Sequence, residues 1–127
     1  MGYKFVPNST QIETYLNENK VSNEDIKLED KIRFGLEPDN PILLKKYLRV
    51  DNGLLVNQKR ALLLSHFALL LDTAADEYLP LHWRIQCYDH IHQPLFSLQR
   101  ITRSVIEKSE LARLFKELRI MGDYLFH

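Results

Sequence analysis

Cysteine is almost absent from this 127-residue sequence, which contains Cys87 alone. A single thiol excludes a disulfide within the chain and any zinc site built from several cysteines, and it favours a reducing compartment. Glycine and proline are also scarce, at four and five residues, and the sequence shows no repeat or low-complexity tract. This scarcity argues against linkers and solenoids, so we expect residues 1–127 to form one domain around one hydrophobic core.

The sequence also has no net charge, because 17 basic side chains balance 17 acidic ones. No long-range field therefore selects nucleic acid or an anionic membrane as the partner. The first residues lack the apolar core of a signal peptide, and no apolar run reaches the roughly 20 residues of a membrane span. We therefore expect a cytoplasmic protein with no membrane partner and with nucleic acid disfavoured, while the oligomeric state stays open.

A strongly apolar run is the main positive feature of the sequence, since nine of the eleven side chains in residues 61–71 are apolar. A helix with almost no polar side has to be surrounded by other elements. Because no helix breaker occurs from about residue 55 until Pro80, we predict a central helix over about residues 55–79. The predicted fold class is all-α, a compact bundle of five to six helices around this central helix.

Start and stop signals divide the rest of the chain into amphipathic helices. The predicted helices cover about residues 10–20, 22–34, 41–50, 55–79, 81–107 and 109–122. The helix over residues 81–107 should pack antiparallel to the central one, with Pro94 either kinking it or opening a new helix, because proline lacks a backbone N–H. As an alternative, the chain forms a β-hairpin that turns at Asn52 and Gly53, in place of the last turn of the third helix.

Residues 82–92 concentrate groups that could carry chemistry, with three of the five histidines, the cysteine and the only tryptophan. On a helix these histidines point in three directions, whereas a metal needs three or four converging ligands. The pairs that could approach one ion are His82 with Asp89, Cys87 with His90, and His66 with His92. Two ligands are too few, so we predict no metal and no cofactor.

Arg84 and His90 are separated by five residues, the Arg-x5-His form of the HEPN ribonucleases, which are also small helical bundles. The chain resembles that class in these two residues only, and Ile85 stands where the class usually has a polar residue. The resemblance implies a ribonuclease with Arg84 and His90 as its catalytic pair. Cys87 is a second candidate, as a nucleophile next to His90, but a lone cysteine in a helical protein is typically a small buried hydrophobe. We favour a protein that is not an enzyme and keep the ribonuclease as the alternative.

Acidic residues are concentrated at the start of the chain, where residues 1–40 carry eight acids against five bases. Acidic surfaces beside aromatic residues are typical of small proteins that block basic enzymes. The predicted partner-binding residues are Tyr15, Glu18, Glu24, Asp25, Glu29, Asp30, Phe34, Glu37 and Asp39. We therefore predict a protein-binding module, an inhibitor of the immunity-protein or antitoxin type whose protein partner is a basic toxin or nuclease.

Basic residues are concentrated near the other end of the chain, which gives a further alternative. These residues are Arg100, Arg103, Lys108, Arg113, Lys116 and Arg119. They could bind nucleic-acid phosphates in a regulator. Glutamates interleave with them at positions 107, 110 and 117, however, a pattern more typical of a solvated helix face.

Overall fold

The computed structural model describes residues 26–126, within which every regular element is a helix. The helices are α1 (Leu28–Arg33), α2 (Leu43–Tyr47), α3 (Val56–Ala75), α4 (Leu81–His90), α5 (His92–Ile101) and α6 (Val105–Leu125). The predicted all-α bundle is confirmed, and the alternative hairpin does not form in this part of the chain. The predicted helix near residues 10–20 lies outside the described residues.

Helix α3 is the hub of the bundle, since α1, α4, α5 and α6 all pack against it. Its Leu63, Phe67 and Leu70 are buried, and full burial of each such side chain stabilises the fold by about 1.5–3 kcal/mol. Ala61 and Ser65, one turn apart, are exposed. The middle of the central helix is thus covered as predicted except at these two residues, whereas its first turn, residues 56–58, is exposed.

Helices α3 and α6 run parallel. Near the start of both, Arg60 Nη2 lies 2.6 Å from Glu110 Oε1 and Arg60 Nε lies 3.8 Å from Glu107 Oε2. Near the end of both, the Tyr124 hydroxyl donates a hydrogen bond to Glu77. Because α5 ends just before α6 begins, α4 and α5 together return antiparallel to α3, as predicted.

Pro94 interrupts the predicted helix over residues 81–107 at Ile91, where α4 ends and α5 begins. Proline has no N–H to donate to the His90 carbonyl. The ladder resumes where the Leu95 N–H donates to the Ile91 carbonyl at 3.3 Å. Ile91 keeps helical dihedral angles, with φ −63° and ψ −29°, so the interruption is the result of one missing donor.

The predicted boundary between the last two helices was wrong. Helix α5 ends at Ile101, and α6 begins with a capping box in which the Ser104 hydroxyl accepts the Glu107 N–H at 3.1 Å. The Glu107 carboxylate in return accepts the Ser104 N–H at 3.2 Å. Ser109, the predicted cap, lies inside α6, and Val105, predicted to continue a buried stripe, is exposed.

Three further predicted boundaries were wrong by a few residues. Helix α3 ends at Ala75 because the Asp76 carboxylate accepts the Tyr78 N–H at 2.9 Å and turns the chain. Helix α2 is confined to Leu43–Tyr47, since the Asn40 side chain caps the preceding turn. Helix α6 continues past Gly122 to Leu125.

Two buried contacts fix α1 to the rest of the bundle. The indole of Trp83, fully buried in α4, donates a hydrogen bond to the Ile32 carbonyl at 2.9 Å. Arg33 Nη1 donates to Asp76 Oδ2 at 2.9 Å, and both side chains are only 4% exposed. Gly35, at φ +59°, then turns the chain beside the Trp83 ring, in the left-handed region that favours glycine. The segment after α1 is therefore held at a defined place.

Candidate functional site

Four predicted partner-binding acids lie within eleven residues, on α1 and in the loop after it, and we call this segment the acidic edge. These residues are Glu29, Asp30, Glu37 and Asp39. Glu29 and Asp39 are exposed, while Asp30 and Glu37 are half-buried, as is the predicted aromatic residue Phe34. The predicted residues Tyr15, Glu18, Glu24 and Asp25 lie outside the described residues.

Basic side chains accompany the acidic edge. Lys31 Nζ lies 3.0 Å from Glu37 Oε2, and the Asn40 side-chain amide donates to Glu37 Oε1 at 3.1 Å. These hydrogen bonds, that from Lys31 foremost, lower the pKa of Glu37. His82 Nε2, from α4, lies 3.6 Å from Asp39 Oδ1. The edge is thus less uniformly acidic than its composition indicates, and Glu29 and Asp39 are its most accessible acids.

The two residues that resemble the HEPN pair both make structural contacts. Arg84 Nε donates to the Ala74 carbonyl at 2.8 Å, at the end of α3, and its guanidinium lies 5.9 Å from the Tyr124 ring centroid. His90 Nδ1 lies 2.7 Å from the Gln86 carbonyl of its own helix. Six residues along one helix place the two side chains about 120° apart. The ribonuclease stays a prediction, which RNA digestion lost in an Arg84→Ala/His90→Ala variant would support.

The remaining candidates for chemistry are dispersed. Cys87 is fully buried, and burial raises the pKa of its thiol, which disfavours the nucleophilic thiolate. His66 is buried against Tyr47, whereas His92 is exposed and stacks on Phe96 at 5.8 Å between ring centroids. Within residues 26–126, no group of three or more His, Cys, Asp or Glu side chains could hold a metal ion.

His66 makes the stability of the protein depend on pH. Its ring is 3% exposed, its Nδ1 has no hydrogen-bond partner, and burial lowers its pKa. The unfolded chain, with a histidine pKa of about 6.5, therefore binds the proton first. We expect the free energy of unfolding to fall as the pH drops below 6.5, by at most about 1.4 kcal/mol per pH unit from this group.

Urea denaturation at pH 7.5 and 5.5 measures this contribution. A His66→Phe variant should lose that part of the pH dependence, because phenylalanine binds no proton. A His92→Gln variant, altered at an exposed histidine, serves as the control and should keep it. Equal pH dependence in wild type and His66→Phe would show that His66 does not contribute.

A cleft of about 330 Å³ lies between α3 and α6. Its floor is apolar and its rim is charged. The floor consists of Leu64, Phe67, Ala68, Leu71 and Leu114, and the rim of Asp72, Glu110, Arg113 and Glu117. Two of the rim acids are paired within the chain, Glu110 with Arg60 at 2.6 Å and Glu117 with Arg113 at 2.8 Å. The cleft can hold a small apolar group with acidic side chains at its mouth.

Sequence reasoning missed this cleft. Glu110, Arg113 and Glu117 were assigned to a solvated face, although their spacing of three and four residues places them on one side of a helix. That side faces α3, and Leu114 next to them is buried. The signal that could have found the cleft is the presence of charged and apolar residues on the same face.

The remaining basic residues predicted for nucleic acid are exposed, namely Arg100, Arg103, Lys108, Lys116 and Arg119. No helix within residues 26–126 is both long and apolar enough to cross a bilayer. Comparison with protein-family models, with curated proteins and with solved structures found no match to this chain.

Proposed function

We propose that this chain is a protein-binding module that neutralises a basic protein, an inhibitor of the immunity-protein or antitoxin type acting in the cytoplasm. The observation that carries the proposal is the fixed position of the acidic edge. Glu29 lies on α1 and Asp39 follows it, and α1 is joined to the core through Arg33 and Ile32. Exposed charges on a preorganised segment lose little conformational entropy on binding, which favours recognition.

The structural contacts of Arg84, His90 and Cys87 also support a binding function rather than catalysis. Arg84 supports the end of α3, His90 contacts the turn before it, and Cys87 packs in the core. Side chains engaged in this way stabilise the bundle, which leaves recognition to its surface. The basic partner is proposed as a cognate toxin or nuclease, because opposite charge steers association and suppresses wrong partners.

The proposal is tested with purified products of the genes that neighbour this one, by capture and by calorimetry at low and high salt. The test variant is Glu29→Lys/Asp39→Lys. Its matched control is Asp89→Lys/Asp123→Lys, which makes the same change in net charge at two exposed acids on α4 and α6. We expect a basic partner to bind the control like wild type and the test variant about tenfold or more weakly.

Three results would overturn the proposal, two from the binding experiments and one from their salt dependence. One is the absence of a basic binder among those gene products at low salt. The other is a binder whose affinity falls equally in both charge-reversal variants, since net charge alone would then explain the effect. Affinity that is unchanged by salt would also contradict recognition through exposed acids.

A further inference from the structure

Four of the most exposed apolar side chains lie at the first turns of α3 and α6, and we call them the aliphatic tip. Leu55 and Val56 are 70% and 62% exposed, and Val105 and Ile106 are 79% and 83% exposed. Aliphatic side chains scattered singly over a surface are ordinary, whereas a cluster marks a surface that contacts something apolar. The tip therefore needs a binding explanation if its members lie at one end of the bundle.

The ion pairs of Arg60 show that they do. Val56 precedes Arg60 by one helical turn on the same face of α3, and Ile106 stands in the same relation to Glu110 on α6. Because Arg60 Nη2 lies 2.6 Å from Glu110 Oε1, the two helices approach each other one turn behind the tip. The four aliphatic side chains consequently lie at the same end of the bundle, two at the start of each helix.

Three basic residues lie close to the tip along the chain, of which Arg103 and Lys108 are exposed and Lys59 is half-buried. Lys59 follows Val56 by three residues and Lys108 follows Val105 by three, so each lysine lies on the face of its valine, about 5 Å further from the end. Exposed Arg103 immediately precedes the capping box of α6. The two acids nearest the tip on α6, at positions 107 and 110, already pair with Arg60.

We propose that the aliphatic tip inserts into the surface of an anionic lipid bilayer. Aliphatic side chains at the end of a bundle reach the boundary of the acyl chains, roughly 5–10 Å below the surface. Lysines one turn behind them extend their ammonium groups to the anionic headgroups. A nucleic acid would satisfy the lysines but leave the four aliphatic side chains in water, which is why the lipid surface fits better.

This inference is independent of the proposed function. It rests on basic side chains and on α3 and α6, whereas the proposed function rests on acidic side chains of α1 and the loop after it. It departs from the expectation that no membrane is involved. That expectation rests on the zero net charge and on the length of apolar runs. The first describes the whole chain and not one end of it, and the second governs spanning and not surface contact. A Glu29→Lys/Asp39→Lys variant should therefore bind lipid at least as well as wild type does.

Co-sedimentation of the full chain with vesicles tests the inference. The vesicles are phosphatidylcholine alone or with about 30% phosphatidylserine, at low salt and at about 1 M salt. The test variant is Val56→Ser/Ile106→Ser, and the control is Ile120→Ser, which alters a 58% exposed aliphatic residue of α6 about four turns from the tip. We expect binding to the phosphatidylserine vesicles at low salt that falls about tenfold in the test variant and is unchanged in the control.

Circular dichroism of each variant confirms that it is folded, so that a loss of binding can be assigned to the tip. The inference is overturned if wild type does not sediment with the anionic vesicles at low salt. Equal binding by Val56→Ser/Ile106→Ser and Ile120→Ser also overturns it. A self-association without vesicles that only the tip variant abolishes, seen by light scattering, would assign the tip to contact between copies of the chain instead.

Discussion

Replacing Arg33 by methionine is expected to lower the free energy of unfolding by about 3–5 kcal/mol, because it removes one partner of a buried ion pair. The Asp76 carboxylate is 4% exposed and would be left buried without its guanidinium partner. The Tyr78 N–H, which donates to the other carboxylate oxygen, is neutral and cannot replace that cation. Urea denaturation followed by the fluorescence of Trp83, the only tryptophan, measures the loss.

Two control variants separate the buried pair from a general effect of charge. Lys31→Met removes a basic side chain two residues away whose ion pair with Glu37 is more exposed, and it should cost about 1 kcal/mol or less. Arg33→Met/Asp76→Asn removes both charges and should recover much of the lost stability. The interpretation fails if Arg33→Met costs no more than Lys31→Met, or if the double variant is less stable than Arg33→Met.

Replacing Trp83 by alanine should be as damaging, at about 3–5 kcal/mol, because it leaves a large cavity in the core. The ring is fully buried, and its Nε1 donates to the Ile32 carbonyl, which would keep only the hydrogen bond from the Gly35 N–H. It also packs against Gly35, where the chain turns towards the acidic edge. Circular dichroism during urea denaturation measures the effect, since this variant has no tryptophan.

Trp83→Phe is the graded control, since it keeps most of the ring volume but no indole N–H. It should cost less than Trp83→Ala, by about 1–3 kcal/mol in total. A loss below about 1 kcal/mol for Trp83→Ala would contradict the burial of this ring. Both Trp83→Ala and Arg33→Met should also weaken partner binding if the acidic edge recognises its partner as a fixed segment.

The central helix is predictable from the sequence because apolar residues occupy nine of the eleven positions in residues 61–71, so that no face has to be chosen there. Helix α3 begins at Val56, one residue from the predicted start. Its end at Ala75 combines the local hydrogen bond from the Tyr78 N–H to Asp76 with the ion pair between Asp76 and Arg33, 43 positions away. The second contact leaves no local signal in the sequence.

The buried face of α4 was predicted wrongly for a different reason. An apolar stripe through Leu81, Ile85 and Tyr88 was extended across Pro94, yet Leu81 is exposed and Trp83 and Cys87 are fully buried. The fully buried Trp83, Cys87, Ile91, Leu95 and Leu98 follow one another at three- and four-residue steps across both helices, so the predicted stripe was correct from Ile91 to Leu98 and wrong within α4. Apolar side chains on both faces of α4 make the periodicity ambiguous.

The start of α6 could have been predicted correctly. Ser104 has a glutamate three residues later, the full spacing of a capping box, whereas Ser109 is followed at once by Glu110. The prediction followed the apolar stripe to Val105 instead of this spacing. The structure supports the capping box with both of its hydrogen bonds.

The acidic edge was predictable from composition, but the side chains that pair with its acids were only partly predictable. Lys31 lies near Glu37 in the sequence, and a loop after α1 readily brings them together. His82 reaches Asp39 from α4, which only the tertiary packing determines. The parallel packing of α3 and α6, which creates the cleft and the aliphatic tip, likewise depends on contacts between distant segments.

Native-state hydrogen exchange of α3 tests most directly the central claim that other helices surround this helix. We predict that the amides of residues 63–74 exchange only through global unfolding, at a free energy equal to that from urea denaturation. Amides in residues 112–119 of α6, which packs at the surface, should exchange through smaller openings. Exchange of residues 63–74 at free energies no higher than those of residues 112–119 would contradict the claim.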